Sequence, residues 1–159
     1  MENKSSRTFD LLTLGQVLLR LSPPDNERLS RGDTFVKQVG GAELNVAVGA
    51  SLLGLHTGVI SKLPAHDIGS FMKGKIRSFG VSDDFFMYDH SAGARLGIYY
   101  YENGAYPRKP KVIYDRQHSS FFSLSLDEIP EEVYTASKCF HTTGITLALS
   151  PQIRETTTE

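Results

Sequence analysis

Short apolar runs alternate with amphipathic segments along the first half of the chain. Phe9 to Gly15 is almost continuously apolar, a pattern typical of a strand that is buried on both faces. Gln16 to Leu21 extends this strand, and Pro23 to Asn26 ends it in a turn. Thr57 to Leu63 predicts a second buried strand, and a third is predicted near residues 84–89.

A helix is predicted between the first two of these strands. Leu44, Val48 and Leu52 recur at every fourth position, so residues 42–53 should form a helix with one apolar stripe. Gly54 follows at once, and glycine is the residue most often found just past a helix C-terminus because it tolerates a left-handed backbone.

A second helix is predicted over residues 67–79. Asp67 is placed to cap its N-terminus, and Gly80 closes its C-terminus. The resulting order is strand, helix, strand, helix, strand with short connections. This order is typical of the α/β class, in which a parallel sheet is flanked by helices.

The pattern changes after residue 90. Residues 95–102 predict an aromatic strand and residues 111–115 a shorter one. The connection at residues 103–110 contains glycine and two prolines, so it is too long for a tight two-residue hairpin. Together with residues 16–21 and 35–39, these strands are predicted to form a small antiparallel sheet apart from the parallel core.

The α/β pattern resumes near the end of the chain. Residues 126–136 predict a helix with acidic residues in its first turn, and residues 138–143 predict another core strand. Residues 154–159 have the composition of the start of a further helix. A doubly wound sheet normally continues at this point, so we expect a fold that is interrupted rather than complete.

Composition and charge narrow the choice of partners. The chain has 159 residues, 17 basic and 18 acidic, and a net charge of −1. The basic residues form no dense run, which argues against a nucleic-acid partner or an anionic membrane surface. No apolar stretch approaches the roughly 18 residues of a membrane-spanning helix, and residues 1–8 lack the apolar core of a signal peptide.

The cysteine and the histidines offer no obvious chemistry. Cys139 is the single cysteine, so no intramolecular disulfide can form, and its apolar neighbours predict a buried, inert thiol. The five histidines show no paired spacing typical of a metal site. His141 is expected to be a structural residue with its hydrogen bonds satisfied. A reducing cytoplasm is the compartment that fits these features.

The segment Gly40-Gly41-Ala42-Glu43-Leu44-Asn45 is the strongest candidate site. Two glycines before a helix allow a ligand to approach the backbone, and the helix N-terminus offers unpaired N–H donors. The side chain of Asn45 lies in the first turn, opposite the apolar stripe. The alternative is a tight turn in which both glycines only satisfy backbone geometry. The spacing matches neither a phosphate loop nor a dinucleotide loop.

This segment closely resembles the N-terminal signature of the ribokinase-like carbohydrate kinases, the phosphofructokinase-B (PfkB) family. Five further stretches are similar to members that phosphorylate 2-keto-3-deoxygluconate, and the similarity runs from about Leu11 to Pro151. The stretches are Gly15-Gln16-Val17-Leu18-Leu19-Arg20-Leu21-Ser22-Pro23, Lys62-Leu63-Pro64, Leu96-Gly97-Ile98-Tyr99, Lys111-Val112-Ile113-Tyr114-Asp115-Arg116 and Thr143-Gly144-Ile145-Thr146.

The resemblance implies a fold and a substrate site. Residues 1–159 would form the N-terminal part of one kinase domain, with lid segments at about 16–22, 35–39 and 95–116 inserted in the α/β core. A sugar acid would be the small-molecule partner, with its carboxylate on Arg116, because a planar guanidinium can hold a carboxylate through two hydrogen bonds. The substrate-binding residues implied are Gly40, Gly41, Ala42, Asn45, Tyr99, Tyr114 and Arg116.

Each implied role has an alternative. Arg116 could be a solvated surface charge, and the rings of residues 99–101 could only pack the sheet, with alternate rings on opposite faces. The sequence also departs from the family at two positions. Pro64 stands where the general signature has glycine, and Gln16 replaces an acidic residue that is common after the first-strand glycine.

The resemblance also implies ATP and Mg²⁺, with a catalytic aspartate in a Gly-Ala-Gly-Asp loop. No such segment occurs in residues 1–159, so no residue of this chain is assigned a catalytic role, and we expect the chain alone to lack kinase activity.

The alternatives to a kinase are a non-catalytic sugar-binding or dimerising remnant, or a fragment of a disrupted gene. If the protein is an enzyme, fructokinase or ribokinase activity is the alternative hypothesis. The aromatic strand is compatible with a homodimer formed through the lid.

Overall fold

The computed structural model describes residues 8–158, so the polar N-terminal segment lies outside the described residues except for Thr8. The described residues form two sheets with helices around the larger one. In chain order the strands are β1 (Phe9–Leu14), β2 (Leu18–Ser22), β3 (Val36–Gly40), β4 (Thr57–Pro64), β5 (Val81–Ser82), β6 (Phe86–Asp89), β7 (Gly97–Glu102), β8 (Lys111–Asp115) and β9 (Ser137–His141). The helices are α1 (Ala42–Leu52), α2 (Asp67–Ser78), α3 (Val133–Ala136), α4 (Gly144–Leu147) and α5 (Pro151–Thr158).

The core sheet has the order β5-β4-β1-β9, and β6 also pairs with β4. Every pairing in it is parallel. All eight residues of β4 are buried, and in β1 only Asp10 is partly exposed. These central strands carry continuous apolar runs because side chains on both faces are covered. The predicted parallel α/β core is confirmed.

Two apolar clusters cover the two faces of the core sheet. On one face, Leu44 and Ala47 of α1 pack with Met72 and Ile76 of α2 against β4. On the other face, Phe9, Leu12 and Leu14 of β1 pack with residues of the later part of the chain. The members from that part are Phe121, Leu124, Ile129, Val133 and Ile153.

Two details of the predicted helices are wrong. The side chain of Leu52 is 73% exposed, because α1 reaches past the edge of its packing surface at its last turn. Leu44 and Ala47 form the buried stripe instead. Asp67 does not cap α2: His66 is the N-cap, Asp67 is the first helical residue, and no side chain caps this end. Gly54 and Gly80 follow the two helices with φ values of 91° and 76°, as predicted.

The helix predicted over residues 126–136 is broken in two. A 3₁₀ turn at Leu126–Glu128 is followed by the short helix α3. Pro130 explains the break because it has no N–H and forces the preceding residue away from helical geometry. Ile129 accordingly has an extended backbone, with φ −84° and ψ 119°.

The lid is the second sheet, with the order β3-β2-β7-β8. The outer pairs are antiparallel, whereas β2 and β7 in the centre run parallel, so the sheet is mixed rather than purely antiparallel. The connectivity explains this difference. The outer strands follow their neighbours directly along the chain, whereas β2 and β7 are separated by the βαβ units of the core, and parallel strands require such crossovers.

The last strand is less buried than predicted. Among the described residues β9 pairs only with β1, so it is an edge strand, and its three central residues are exposed. Cys139 is therefore exposed rather than buried. The Nε2 atom of His141 is buried and has no hydrogen-bond partner in the described part of the chain, so the prediction of a fully satisfied histidine is wrong.

Candidate functional site

The candidate site lies between the two sheets, where β1 ends and α1 begins. β1 has parallel neighbours on both sides, β4 and β9, and ligands of α/β proteins bind beyond the carboxyl ends of strands at such points. A cavity of about 300 Å³ occupies this position. Six of the seven predicted site residues line it: Gly41, Ala42, Asn45, Tyr99, Tyr114 and Arg116.

Close packing explains both glycines that precede α1. Gly41 has a φ of 143°, which side chains rarely tolerate, and a Cβ there would lie 2.7 Å from the carbonyl oxygen of Gln16. Gly40 lies beneath the cavity lining, and a Cβ there would lie 2.8 Å from Cε1 of Tyr99. Gly41 therefore lets the start of α1 approach the backbone of Gln16, and Gly40 leaves room for the ring of Tyr99 within the lid.

The N-terminus of α1 faces this cavity. Gly41 is its N-cap and provides no side-chain cap, so the first-turn N–H groups have no side-chain acceptor. Ala42 and the exposed side chain of Asn45 line the cavity in the same turn. This arrangement offers hydrogen-bond donors and an amide to an uncharged polar ligand or to an anion.

The lid supplies aromatic walls. Tyr99 and Tyr101 both line the cavity, whereas Tyr100 points to the opposite face, where its ring centroid lies 5.9 Å from that of Phe35. Tyr114 lies directly across from Tyr99 on β8, with ring centroids 5.8 Å apart. Burial raises the pKa of Tyr99 above its ordinary value, so its hydroxyl remains a hydrogen-bond donor at neutral pH.

Arg116 follows β8 and is partly buried at the cavity. Its Nε donates a hydrogen bond of 2.8 Å to Oε1 of Gln16, and its guanidinium carbon lies 5.8 Å from the ring centroid of Tyr114. Burial lowers the pKa of Arg116, while the nearby Tyr114 and Glu43 act in the opposite direction. An arginine keeps its charge under these conditions, so Arg116 gives the cavity a fixed positive group.

A buried glutamate fixes the floor from below. Glu43 is 2% exposed, and its Oε1 accepts hydrogen bonds of 2.5 Å from Thr143 Oγ1 and 2.6 Å from Thr146 Oγ1. The backbone N–H of Thr143 donates to the same oxygen at 3.1 Å. A Cβ at Gly15 would collide with this carboxylate. Glu43 therefore connects the ends of β1 and β9 to the start of α1.

Sequence reasoning missed several residues of the cavity. Tyr101 could have been found from Tyr99, since alternate strand residues share a face. Arg20, whose guanidinium carbon lies 4.3 Å from the ring centroid of Tyr101, gave no separate signal. Glu43 was visible only as a charged residue beside an apolar stripe, because its partners lie about 100 residues away in sequence. Ile145 also lines the cavity.

Another cavity, of about 350 Å³, lies beside β9 and shares no lining residue with the candidate site. Val133, Phe140 and Thr156 are among its lining residues, and its one charged side chain is Lys138. Its lining includes no glycine and no guanidinium group, in contrast to the candidate site. The cavity between the sheets is therefore the candidate ligand site.

The described residues form no cluster typical of a metal site. Among residues 8–158 no group of three or more His, Cys, Asp or Glu side chains could hold a metal ion. The same range contains no helix that is long and apolar enough to cross a membrane.

Relatives of known name cover nearly the whole chain. A 2-dehydro-3-deoxygalactonokinase from Haloferax volcanii is 40% identical over 152 residues, which are 96% of this chain and 47% of that protein. A 5-dehydro-2-deoxygluconokinase from Bacillus cereus is 31% identical over 149 residues, or 93% of this chain and 44% of that protein. The chain thus spans about half the length of these relatives.

Solved structures agree with the fold. The 2-dehydro-3-deoxygluconokinase of Thermotoga maritima is 36% identical and superposes with a TM-score of 0.87, covering 92% of this chain and 44% of that one. A sugar kinase from Pyrococcus horikoshii in complex with ATP superposes with a TM-score of 0.80 at 24% identity. The match covers 92% of this chain and 47% of the Pyrococcus chain. At that identity it supports the fold alone.

The family model of the pfkB carbohydrate kinases matches residues 8–159, nearly the entire sequence. The match includes the glycine segment, α1, both sheets and the lid residues that line the cavity. The chain belongs to the PfkB family of carbohydrate kinases.

Proposed function

We propose that this chain is the sugar-binding half of a cytoplasmic, ATP-dependent kinase that phosphorylates a 2-keto-3-deoxy sugar acid, with 2-keto-3-deoxygluconate as the favoured substrate. The observation that carries the proposal is the state of Arg116. Its Nε is bound by a neutral amide, and Nη1 and Nη2 have no hydrogen-bond partner among the described residues. A guanidinium in this state can receive a carboxylate through two hydrogen bonds.

The rest of the cavity suits the rest of a sugar acid. The N–H groups at the start of α1, the amide of Asn45 and the hydroxyl of Tyr99 are donors for hydroxyl and keto oxygens. The aromatic faces of the lid suit the carbon chain. The volume is at the lower end of the roughly 300–1,000 Å³ of small-molecule sites, as expected for a ligand of six carbons.

We assign the phosphoryl-transfer step to the part of the relatives that this chain does not span. That step needs a base to orient the attacking hydroxyl, donors for the developing charge and a metal-bound nucleotide. The described residues offer a candidate sugar site, they hold no cluster that could bind a metal ion, and the sequence contains no Gly-Ala-Gly-Asp segment. The purified chain should therefore bind the sugar acid without consuming ATP. ATP-dependent phosphorylation by residues 1–159 alone would contradict this assignment.

A second candidate function is that of a sugar-binding or dimerising protein without catalytic activity. The lid exposes large apolar side chains, among them Phe35 and Val36 at 46% each and Ile113 at 45%, which suit a homodimer. Light scattering after gel filtration distinguishes a dimer from a monomer. Sequencing the gene beyond the codon for Glu159 distinguishes the two candidate functions. In-frame codons for Gly-Ala-Gly-Asp would support the kinase, and their absence would support the non-catalytic protein.

The experiment that tests the substrate class compares two ligands that differ in one group. The ligands are 2-keto-3-deoxygluconate and 3-deoxyfructose, in which a hydroxymethyl group replaces the carboxylate. Calorimetric titration of the chain should give a dissociation constant about tenfold lower, or more, for the acid, since a hydrogen bond to a charged group is worth about 1.5–3 kcal/mol.

Variants locate the source of this preference. Arg116→Gln should abolish the preference for the acid while keeping the neutral sugar bound. Arg31→Gln removes the same charge from an exposed position away from the cavity and serves as the matched control. Equal affinities of the unaltered chain for both ligands, or a higher affinity for fructose than for the acid, would contradict the proposed substrate class.

A further inference from the structure

Glu43 has one carboxylate oxygen that is held by the protein and one that is not. Its Oε1 accepts hydrogen bonds from the N–H and Oγ1 of Thr143 and from Oγ1 of Thr146. Its Oε2 accepts no hydrogen bond from any described residue. Because three donors hold Oε1, Oε2 has a defined place over Gly15, where a Cβ atom would collide with it.

Oε2 of Glu43 is accessible from the floor of the cavity. Glu43 is one of the lining residues, although only 2% of the residue is exposed. Within residues 8–158, the fully enclosed polar side-chain atoms that lack a hydrogen-bond partner do not include this oxygen. A small polar group of a ligand can therefore reach Oε2.

The cavity is rich in donors and poor in acceptors. Arg20 and Arg116 line it with guanidinium groups that can only donate, and the start of α1 adds backbone N–H groups. The amide oxygen of Gln16 is already bonded to Nε of Arg116. A sugar hydroxyl also has a proton to donate, and Glu43 is the one carboxylate of the lining. A hydrogen bond to a carboxylate is stronger than one to a neutral oxygen.

We propose that Glu43 is a further binding residue of this site, with Oε2 as the acceptor for one hydroxyl group of the ligand. This inference rests on the proposed function, in which a sugar acid occupies the cavity. The carboxylate of the acid faces Arg116 on the lid, so the hydroxyl end lies at the floor near Glu43 and Asn45. Glu43 then fixes the floor through Oε1 and binds the ligand through Oε2.

The substitution Glu43→Gln preserves shape and replaces the acceptor at this position by a donor. The amide oxygen should take the place of Oε1, because three donors surround it, so the amide NH₂ group takes the place of Oε2. The ligands are 2-keto-3-deoxygluconate and its three analogues that lack the hydroxyl group at C4, C5 or C6.

Calorimetric titration gives the dissociation constant of each analogue relative to that of the parent acid. For one analogue this ratio should be about ten or more in the unaltered chain and about one in Glu43→Gln, as expected when one charge-assisted hydrogen bond is lost. The other two ratios should be the same in both chains.

A merely structural role of Glu43 predicts a different pattern. A distorted floor, or a changed electrostatic field at Arg116, would alter the affinities of all four acids by one factor, since all of them have the carboxylate. All three ratios would then be unchanged, and that result would overturn the proposal.

Glu102→Gln is the matched control. Glu102 is also a buried glutamate, but it belongs to the lid, pairs with Arg108 and lies outside the cavity lining. Its substitution should change the three ratios by less than about twofold, because distant sites act independently. A fall as large as that in Glu43→Gln would overturn a specific role for position 43.

A crystal structure of the unaltered chain with the parent acid keeps the inference testable if Glu43→Gln does not fold. Oε2 of Glu43 should lie within about 3.2 Å of a ligand hydroxyl oxygen. An Oε2 bonded to Ser61, which lies beside Gly15 on β4, or only to water would overturn the proposal.

The same ligands separate this inference from the proposed function. Equal affinities for the parent acid and 3-deoxyfructose would contradict the proposed substrate class, whereas the three ratios would still test Glu43 because they compare ligands with the same carboxylate. A preference for the acid without any change of the ratios in Glu43→Gln would overturn the role of Glu43 alone. If none of the ligands bound, both proposals would be wrong.

Discussion

The two sheets of this molecule bury their residues in different ways. In β4 of the core all eight residues are buried, whereas in β8 of the lid all five are exposed. The core strands are covered on both faces by α1, α2 and the later segments. The lid strands have one face toward the cavity and leave aromatic and charged side chains accessible there.

This difference assigns separate tasks to the two regions. The core contributes backbone to the cavity, through Gly41 and the first turn of α1, and its geometry is fixed by packing. The lid contributes side chains of varied charge and shape to the cavity, above all Tyr99, Tyr114 and Arg116. Substitutions in the core should therefore change stability, and substitutions in the lid should change which ligand is bound.

The largest expected effect is the loss of a core side chain. Leu12 is fully buried in β1, so Leu12→Ala should lower the free energy of unfolding by about 3 kcal/mol, within the range of about 2–5 kcal/mol for such truncations. Val112→Ala in β8, where the side chain is 42% exposed, should cost less than about 1 kcal/mol. Urea unfolding measures both, and equal losses would contradict the contrast between the sheets.

The two buried glutamates give a smaller contrast. Glu43 receives three hydrogen bonds, so Glu43→Ala leaves buried donors unsatisfied and should cost about 2–3 kcal/mol. Glu102 in the lid is 7% exposed and pairs with Arg108 and with the backbone N–H of Leu29. Because Arg108 remains able to reach water, Glu102→Ala should cost about 1 kcal/mol.

Denaturation in urea compares these variants, and Glu43→Gln is the control. Its amide oxygen can still accept from Thr143 and Thr146, so part of the stability should return. If Glu102→Ala were the more damaging substitution, the core would not be the region that fixes the site.

The smallest effect is a dependence of stability on pH. Burial raises the pKa of Glu128, but hydrogen bonds from Lys62 and from the N–H of Ser125 outweigh burial and hold it below the ordinary value of 4.5. A carboxyl whose pKa is lower in the folded state stabilises the protein above its unfolded pKa. That stability should be lost as the pH falls below about 4.5.

Thermal unfolding between pH 6 and pH 3 tests this prediction. The melting temperature of the unaltered chain should fall more steeply over this range than that of Glu128→Gln, which lacks the titrating group. The difference should correspond to less than about 1 kcal/mol because the side chain of Glu128 is 33% exposed. Parallel profiles would show that the pair with Lys62 contributes nothing to the core.

The sequence predicted the core better than the lid for a physical reason. The buried runs in β1 and β4 are local signals, and so are the glycines after α1 and α2. The strands of the lid were also predictable, but their order was not, since the parallel pairing of β2 with β7 depends on how the core brings them together. The exposure of Leu52 and Cys139 likewise depends on where the neighbouring elements end.

The candidate site also divides into residues that could be predicted from the sequence and residues that could not. Gly41, Ala42 and Asn45 and the lid residues Tyr99, Tyr114 and Arg116 were identified by resemblance, and the structure brings them together around one cavity. Their ligand-binding roles stay predictions. The hydrogen bonds of Gln16 to Arg116 and of Glu43 to Thr143 join residues 100 positions apart, and no local pattern reports such a contact. Polar residues with distant partners are the part of a site that only the fold reveals.

The most direct test of the division between floor and lid is a crystal structure of the chain with 2-keto-3-deoxygluconate. We predict that the carboxylate lies within hydrogen-bond distance of Nη1 and Nη2 of Arg116, while the hydroxyl groups contact Asn45 and the backbone N–H groups that follow Gly41. A carboxylate bound at the start of α1, with Nη1 and Nη2 of Arg116 still unbound, or a sugar outside this cavity, would contradict the account.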